Sequence, residues 1–191
     1  MNYSIWQVSQ TKEQVLKSAY FYADARRQAH IASLKTPFAQ KQSLCGDALV
    51  RQMLSDACHI SPSALLFSRE ENGKPFALNC NLFFNLSHSG DHVLCAVHDA
   101  PIGADIEEFR PVHTNLIRKI CSAQEIEWIG QDAKRFLRVW TAKEAYLKYL
   151  GIGLRTALQD INVISENKLQ IDNVQIFSQL TEHYAMSIIY K

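Results

Sequence analysis

Several features that mark specialised classes of protein are missing from this chain of 191 residues. Glycine and proline number only 7 and 5, and no stretch rich in glycine, serine or proline divides the chain, so we expect one compact body. No apolar run approaches the ~20 residues that span a bilayer. No basic segment followed by an apolar run stands near Met1, so we expect no secretory signal. The formal net charge of +1 argues against an extended nucleic-acid footprint and against a polybasic membrane anchor.

The cysteines are few, odd in number and irregularly spaced. No two of them form a C-x-x-C pair; they are Cys45, Cys58, Cys80, Cys95 and Cys121. This spacing argues against a disulfide framework and against a zinc knuckle. We therefore expect reduced, buried thiols and a cytoplasmic protein.

Patterns typical of helices and then of short strands occur twice along the chain. Apolar residues make up 47% of it, enough for a sizeable core in one large domain or two small halves. The first set has a strand at 3–8, one long helix from a capping signal at Thr11 to about 34, a helix over 39–57 and short strands between 65 and 107. The second has a capping box at Ser122 and Glu125, a helix over 133–149 and strands from 161 onward. This order predicts an α+β fold of two similar halves that meet face to face around a ligand crevice. The division lies near Pro101, which gives 1–101 and 102–191, or after Arg110.

Two acidic residues lie two positions apart in a predicted strand. Because strand side chains alternate between faces, Asp105 and Glu107 project to the same side, where they repel each other unless a cation or a proton lies between them. A third acid, Glu144, lies in a predicted helix beside Lys143 and Lys148. Carboxylates for a hard metal next to lysines for an anion predict a metal–phosphate site. The alternatives are solvated charge on an exposed strand and an ordinary i,i+4 ion pair between Glu144 and Lys148.

Two predicted turns carry groups that suit a phosphate. Ser87, His88, Ser89 and the backbone amides near Gly90 follow a strand, a pattern that fits an anion-binding nest and a plain polar hairpin turn equally well. The turn Asn72-Gly73-Lys74-Pro75 presents Lys74 either to solvent or to a phosphate.

Four segments in this order resemble the 4'-phosphopantetheinyl transferase family, in particular its surfactin-type branch with two pseudo-symmetric halves in one chain. The segments are Gly73-Lys74-Pro75, Phe84-Asn85-Leu86-Ser87-His88-Ser89-Gly90, Gly103-Ala104-Asp105-Ile106-Glu107, and Trp140-x-x-Lys143-Glu144-Ala145-x-x-Lys148 with Gly151-x-Gly153-Leu154 after it. The resemblance implies two α+β halves related by a pseudo-two-fold axis, with the active site in the crevice between them, in a monomer. It implies transfer of the phosphopantetheine arm of coenzyme A to a serine of a carrier protein, with release of adenosine 3',5'-bisphosphate.

The resemblance also implies roles for individual residues. Asp105, Glu107 and Glu144 would bind Mg²⁺, and Lys148 and His88 would contact the diphosphate. A larger set would line the nucleotide and its 3'-phosphate: Arg26, Lys41, Gly73, Lys74, Pro75 and Ser87. Lys143 would lie near the reacting centre, and Glu144 or a bound water would take the serine proton. Where the family commonly has a basic residue this chain has Gln42, so either Lys41 substitutes for it or the 3'-phosphate binds more weakly.

Two other functions use the same features. A Mg²⁺-dependent diphosphate hydrolase acting on coenzyme A-like nucleotides would use the same acids and would consume coenzyme A without a carrier protein. A non-catalytic module would bind coenzyme A or a carrier and show no metal-dependent turnover.

Overall fold

The computed structural model describes residues 1–111, 114–153 and 157–191, with the side chain of Thr114 left aside. Leu154, the last residue of the C-terminal motif, therefore lies outside the described residues.

The first half of the chain forms a three-stranded antiparallel sheet with helices packed on it. Its elements are β1 (Asn2–Gln7), α1 (Glu13–Tyr22), α2 (Ala25–Ser33), α3 (Pro37–Cys58), the short hairpin of β2 (Phe67–Arg69) and β3 (Pro75–Ala77), β4 (Phe83–Ser89) and β5 (His92–His98). The strand order is β1-β5-β4. Leu49 and Leu54 of α3 are fully buried against Val93 of β5, so the long helix and the central strand form the core of this half.

The second half repeats this arrangement. Its elements are β6 (Ile102–Glu108), α4 (Thr114–Ile120), α5 (Ala123–Ile129), α6 (Ala133–Leu150), the two-residue strands β7 (Ile164–Ser165) and β8 (Lys168–Leu169), β9 (Gln175–Leu180) and β10 (Tyr184–Tyr190). The strand order is β6-β10-β9. In both halves the first strand pairs with the last, and the last pairs with the one before it. The prediction of two similar α+β halves is confirmed, whereas the pseudo-two-fold axis and the division at 101/102 stay predictions.

A third apolar cluster lies between the two sheets. β6 contributes Ile102, Ala104 and Ile106, which meet Leu94 of β5 and Ile188 of β10, all with no exposed surface. Burial of large aliphatic side chains stabilises a fold by about 1.5–3 kcal/mol each. The shared cluster therefore holds the halves together as one body.

The predicted long helix near the N-terminus is wrong in one respect. The chain leaves the helical conformation at Ala23 and Asp24, and the Asp24 carboxylate accepts a hydrogen bond from the Arg27 amide (2.7 Å). Asp24 is thus the N-cap of a second helix, a position that aspartate favours. The capping signal at Thr11 is wrong as well, because the Thr11 hydroxyl donates to the Gln7 carbonyl oxygen instead (2.8 Å).

Several predictions from local signals are confirmed. Ser122 and Glu125 form a reciprocal capping box at the start of α5, α6 ends one residue beyond its predicted range of 133–149, and β4 to β6 lie within one residue of the predicted strand region, 65–107. Among the described residues, no helix combines the length and apolar character needed to cross a bilayer.

The prediction of reduced thiols is wrong for one pair. Cys58, at the end of α3, forms a disulfide with Cys80, in the segment before β4. The other three cysteines are free and buried, as predicted. Spacing failed here because a separation of 22 residues does not reveal that the fold brings the two sulfurs together.

Candidate active site

β6 directs the side chains of Asp105 and Glu107 toward α6. Ile102, Ala104 and Ile106 fill the shared core, so the alternating residues Asp105 and Glu107 face the other side of the strand. α6 passes very close to that side at Gly103, where a β-carbon would overlap the Ala145 carbonyl oxygen. The absence of a side chain at Gly103 therefore lets α6 approach the acidic face of β6.

Asp105 is almost completely buried, and only one of its two carboxylate oxygens has hydrogen-bond partners among the described residues. Its Oδ1 accepts hydrogen bonds from the Ser87 hydroxyl and the Lys148 ammonium, both at 2.7 Å. Its Oδ2 is buried and has no hydrogen-bond partner among the described residues. Burial raises the pKa of Asp105, and the Lys148 charge opposes that shift.

The helix ion pair offered as an alternative is not formed. In the described residues the carboxylate that Lys148 contacts is Asp105 on β6, and not Glu144 one turn earlier on α6. Lys148 also donates to the Ser87 hydroxyl (3.0 Å) and to the Ala104 carbonyl oxygen (3.1 Å). All three N–H groups of the ammonium are thus directed at β4 and β6, which fixes a positive charge beside the acids.

Glu107 is held by Ser89, Trp140 and Arg110, although the sequence patterns did not predict contacts of these residues with the acid. The Ser89 hydroxyl donates to its Oε2 (2.7 Å), the Trp140 indole N–H donates to its Oε1 (3.2 Å), and Arg110 lies 3.5 Å from Oε2. Two signals were available. Ser89 stands two positions after Ser87 and so shares its face of the strand, and Trp140 stands one turn before Glu144 on α6.

Glu144 shares the electrostatic environment of the β6 acids. Its Oε1 is buried without a hydrogen-bond partner in the described part of the chain. Burial raises the pKa of Glu144, and the charges of Asp105 and Glu107 raise it further, against the attraction of Lys148. The two buried oxygens on Asp105 and Glu144, unpartnered within the described ranges, and the carboxylate of Glu107 make a donor set that suits a hard cation.

The acids do not form a closed metal cage. Within residues 1–111, 114–153 and 157–191, no three histidine, cysteine or carboxylate side chains are arranged closely enough to hold a metal ion as they stand. Protein donors hold Asp105 and Glu107, namely Lys148 and Ser87 on one and Ser89 and Trp140 on the other.

Lys143 does not lie near these acids, and the expectation of a place at the reacting centre is corrected. Its ammonium is fully buried in the core of the second half, 2.6 Å from the Glu125 carboxylate. It also donates to the carbonyl oxygens of Ile120 and Leu158, both at 2.8 Å. Lys143 stands one position before Glu144, so the helix turns the two side chains to different sides.

The turn that carries Lys74 was predicted to present this side chain to solvent or to a phosphate, but the side chain contacts other parts of the protein. Its ammonium reaches the other half and donates to the carbonyl oxygens of Lys148 (2.8 Å) and Ile102 (3.2 Å). Asn72 in the same turn donates to the Gly151 carbonyl oxygen (2.6 Å). The last carbonyls of a helix have no intrahelical partner, so this turn caps α6 from outside. Burial lowers the pKa of Lys74.

Ser87 and His88 differ in exposure. Ser87 is buried and contacts Asp105 and Lys148, so it supports the acids and does not line an open nucleotide surface. The His88 side chain is exposed. Loss of surrounding water and then the Lys148 charge lower the pKa of His88, which favours the neutral imidazole.

The remaining nucleotide candidates lie on the first half. Arg26 is exposed on α2, Gly73 is exposed in the β2–β3 turn, and Pro75 begins β3. Lys41 lines a groove of about 550 Å³ between α1, α2 and α3, which none of the site acids lines. Gln42 donates instead to the Gly90 carbonyl oxygen at the β4–β5 turn (2.8 Å). Lys41 and Gln42 thus contact different parts of this half, which weighs against a simple exchange of roles.

Comparisons with known proteins cover nearly the whole chain. A family model described as the 4'-phosphopantetheinyl transferase superfamily matches residues 101–188, and one described as 4'-phosphopantetheinyl transferase, N-terminal, matches residues 5–100. The chain is 34% identical to the 4'-phosphopantetheinyl transferase psf-1 of Bacillus pumilus over 78% of its own length and 64% of that protein's. It is 34% identical to the 4'-phosphopantetheinyl transferase Sfp of Bacillus subtilis over 64% of its own length and 57% of that protein's.

A similar match extends beyond the bacilli. The chain is 33% identical to the 4'-phosphopantetheinyl transferase HetI of Nostoc over 66% of its own length and 58% of that protein's. The matched part therefore spans between half and two thirds of these relatives. By the family models and these identities together, the chain belongs to the 4'-phosphopantetheinyl transferase family.

Proposed function

We propose that this protein transfers the 4'-phosphopantetheine arm of coenzyme A to a serine hydroxyl of an acyl or peptidyl carrier protein and releases adenosine 3',5'-bisphosphate. The observation that carries the proposal is the placement of two buried carboxylate oxygens, on Asp105 and Glu144, that have no hydrogen-bond partner among the described residues and lie beside the fixed charge of Lys148. Membership of the family says which reaction such a site would serve.

Mg²⁺ is the proposed metal, with Asp105, Glu107 and Glu144 as its protein ligands. Carboxylate oxygens suit Mg²⁺, which commonly binds one or two carboxylates together with substrate phosphates. When bound, it would neutralise charge on the diphosphate and polarise the attacked phosphorus.

The lysine and histidine of the site complement the diphosphate. Lys148 is 29% exposed and is fixed by Asp105, Ser87 and Ala104, so its charge lies at the surface of the site without a need to reorganise. A charge placed in advance stabilises the negative charge that shifts to the leaving group during phosphoryl transfer. A neutral His88 would donate a hydrogen bond to a phosphate oxygen.

Glu144 is the proposed general base. Glu144 has two carboxylate oxygens, so one can bind the cation while the other accepts the proton of the serine hydroxyl. The carrier serine gives its proton to Glu144 while its oxygen bonds to the β-phosphorus. The bond from that phosphorus to the bridging oxygen breaks, and the leaving adenosine 3',5'-bisphosphate keeps the electron pair.

The first half is proposed to bind the nucleotide, with Arg26, Lys41, Gly73 and Pro75 around it. Arg26→Ala should raise the Michaelis constant for coenzyme A and leave that for dephospho-coenzyme A unchanged, because an exposed guanidinium at the 3'-phosphate contributes equally to ground and transition states. An equal effect on both substrates would remove Arg26 from the 3'-phosphate site.

Mass spectrometry of apo-carrier proteins incubated with the protein, coenzyme A and Mg²⁺ tests the proposal. We expect a carrier to gain one phosphopantetheine group, and Glu144→Gln to abolish the gain. Consumption of coenzyme A without a carrier would favour the hydrolase instead, and nucleotide binding without turnover would favour the binding module. The carrier assay is best run on fatty-acid, polyketide and peptide-synthetase carriers in parallel.

We propose in addition that the protein is a cytoplasmic monomer. The Cys58–Cys80 bond is unusual for that location, since disulfides rarely persist in a reducing cytoplasm. Cell fractionation tests the location: recovery with the cytoplasmic fraction supports it, and recovery from an oxidising compartment contradicts it.

A further inference from the structure

β6 is the outer strand of its sheet, and its free edge meets the side chains of β4 rather than another strand's backbone. β10 lies along one edge of β6. On the other edge, the amides of Ala104, Ile106 and Glu108 donate to side-chain oxygens of β4. The acceptors and distances are Asn85 Oδ1 (2.8 Å), Ser87 Oγ (3.4 Å) and Ser89 Oγ (3.1 Å).

The spacing of these side chains explains why they match. Asn85, Ser87 and Ser89 stand two positions apart, and so do the amides they accept from. The side chains on one face of β4 recur every two residues, and so do the amides on one edge of β6. Three contacts therefore form in register. A slip by one residue would place Leu86 and His88 against the amides, and an apolar chain cannot accept from them.

The two serines do more than satisfy the edge. A hydroxyl has one donor and two acceptor positions. Each serine accepts from a β6 amide and donates to the neighbouring acid, Ser87 to Asp105 and Ser89 to Glu107, both at 2.7 Å. The register of the two halves and the orientation of the two acids are therefore set by the same hydrogen bonds.

We propose that Ser89 and Asn85 are positioning residues for the metal-binding acids. Ser89 orients Glu107 directly, and Asn85 keeps the register in which Ser87 and Ser89 meet their acids. The inference rests on the proposed function, since it assumes that Asp105 and Glu107 bind a divalent cation. Hydrogen-bond partners of metal ligands typically change metal affinity by 10–100-fold when they are removed.

The test is direct titration with Mn²⁺, followed by electron paramagnetic resonance, in the presence of coenzyme A. Ser89→Ala should weaken Mn²⁺ binding about 10-fold or more and raise the Mg²⁺ concentration for half-maximal transfer by a similar factor. The Michaelis constant for coenzyme A at saturating Mg²⁺ should stay within about twofold, because Ser89 acts through Glu107. Ser89→Thr, which keeps the hydroxyl, should restore Mn²⁺ affinity.

Controls separate positioning from a general loss of structure. Ser61→Ala removes a hydroxyl from an exposed pair with Ser63, away from the site, and should leave Mn²⁺ affinity unchanged. If Ser89→Ala does not fold, Ser89→Cys provides the test. A thiol fills nearly the same space as the hydroxyl but is only a weak hydrogen-bond donor.

The outcomes distinguish this inference from the proposed function. Wild-type affinity for Mn²⁺ in Ser89→Ala or in Ser89→Cys, with a wild type that binds Mn²⁺ and transfers the arm, overturns the positioning role alone. A wild type that neither binds Mn²⁺ nor transfers the arm overturns the proposed function, and the inference with it.

Discussion

Replacing Glu144 by glutamine removes one negative charge from the site while keeping the shape of the side chain. In the protein without divalent cations, the wild-type carboxylate has one buried oxygen without a partner among the described residues and two like charges nearby. Leaving a buried polar group unsatisfied costs about 1–3 kcal/mol, and more when the group is charged, so the neutral amide of glutamine is penalised less than the carboxylate. The attraction of Lys148 offsets part of that cost. We therefore expect Glu144→Gln to be more stable than the wild type in EDTA by about 1 kcal/mol, at the low end of that range.

Differential scanning calorimetry with and without Mg²⁺ measures this difference. A gain of 1 kcal/mol corresponds to a rise in Tm of roughly 2–4 °C for a chain of this size. Adding Mg²⁺ and coenzyme A should reverse the order, because a ligand at 100 times its Kd stabilises the wild type by about 2.7 kcal/mol and the variant loses a metal ligand. A variant less stable than the wild type in EDTA, or stabilised equally by Mg²⁺, would refute the reasoning.

The stability of the wild type relative to Glu144→Gln should also depend on pH, and the raised pKa values give the direction of that dependence. Burial raises the pKa of Glu144 and of Asp105, so at intermediate pH the folded protein binds more protons than the unfolded chain. The contribution of these groups to stability is therefore present at low pH and is lost as pH rises through the raised pKa values. In EDTA, the wild type should lose stability over that range more steeply than Glu144→Gln. A steeper decline in the variant would contradict the raised pKa.

Three further substitutions test other parts of the structure. Gly103→Ala should destabilise the fold by about 3 kcal/mol in urea unfolding, because its β-carbon would displace the backbone of α6; an unchanged midpoint would show that α6 does not depend on the glycine. Lys143→Ala should lower the free energy of unfolding by about 3–5 kcal/mol, because it leaves the Glu125 carboxylate buried without its cation. A variant that loses transfer activity and keeps its stability would show that Lys143 takes part in the reaction. Lys74→Met should lower the Tm and leave the preference for coenzyme A over dephospho-coenzyme A unchanged, because its ammonium contacts carbonyl groups of the other half; a lost preference would place Lys74 at the 3'-phosphate.

The elements that sequence predicted well are those with strong local signals. The alternation of β6, the capping box at Ser122 and the helical pattern of α6 are each encoded within a short stretch of chain, so they are readable without tertiary information. The break at Asp24 was missed because the helical pattern continues across it. Only the non-helical backbone at Ala23 and Asp24 reveals two helices.

The shared face of Asp105 and Glu107 was predictable from the sequence, whereas the partners of the individual lysines were not. Asp105 and Glu107 share a face because of strand periodicity, a local property. The partners of a lysine depend on which elements the fold brings within reach of a long, flexible side chain. Lys143 and Lys148 stand five residues apart on one helix, yet one neutralises Glu125 in the core and the other Asp105 at the site.

A crystal structure with Mn²⁺ and coenzyme A, with the cation located by its anomalous signal, would show directly whether the three acids bind one divalent cation. We expect one Mn²⁺ bound by carboxylate oxygens of Asp105, Glu107 and Glu144, with the diphosphate beside Lys148. A cation held elsewhere, or a diphosphate bound away from Lys148, would contradict it.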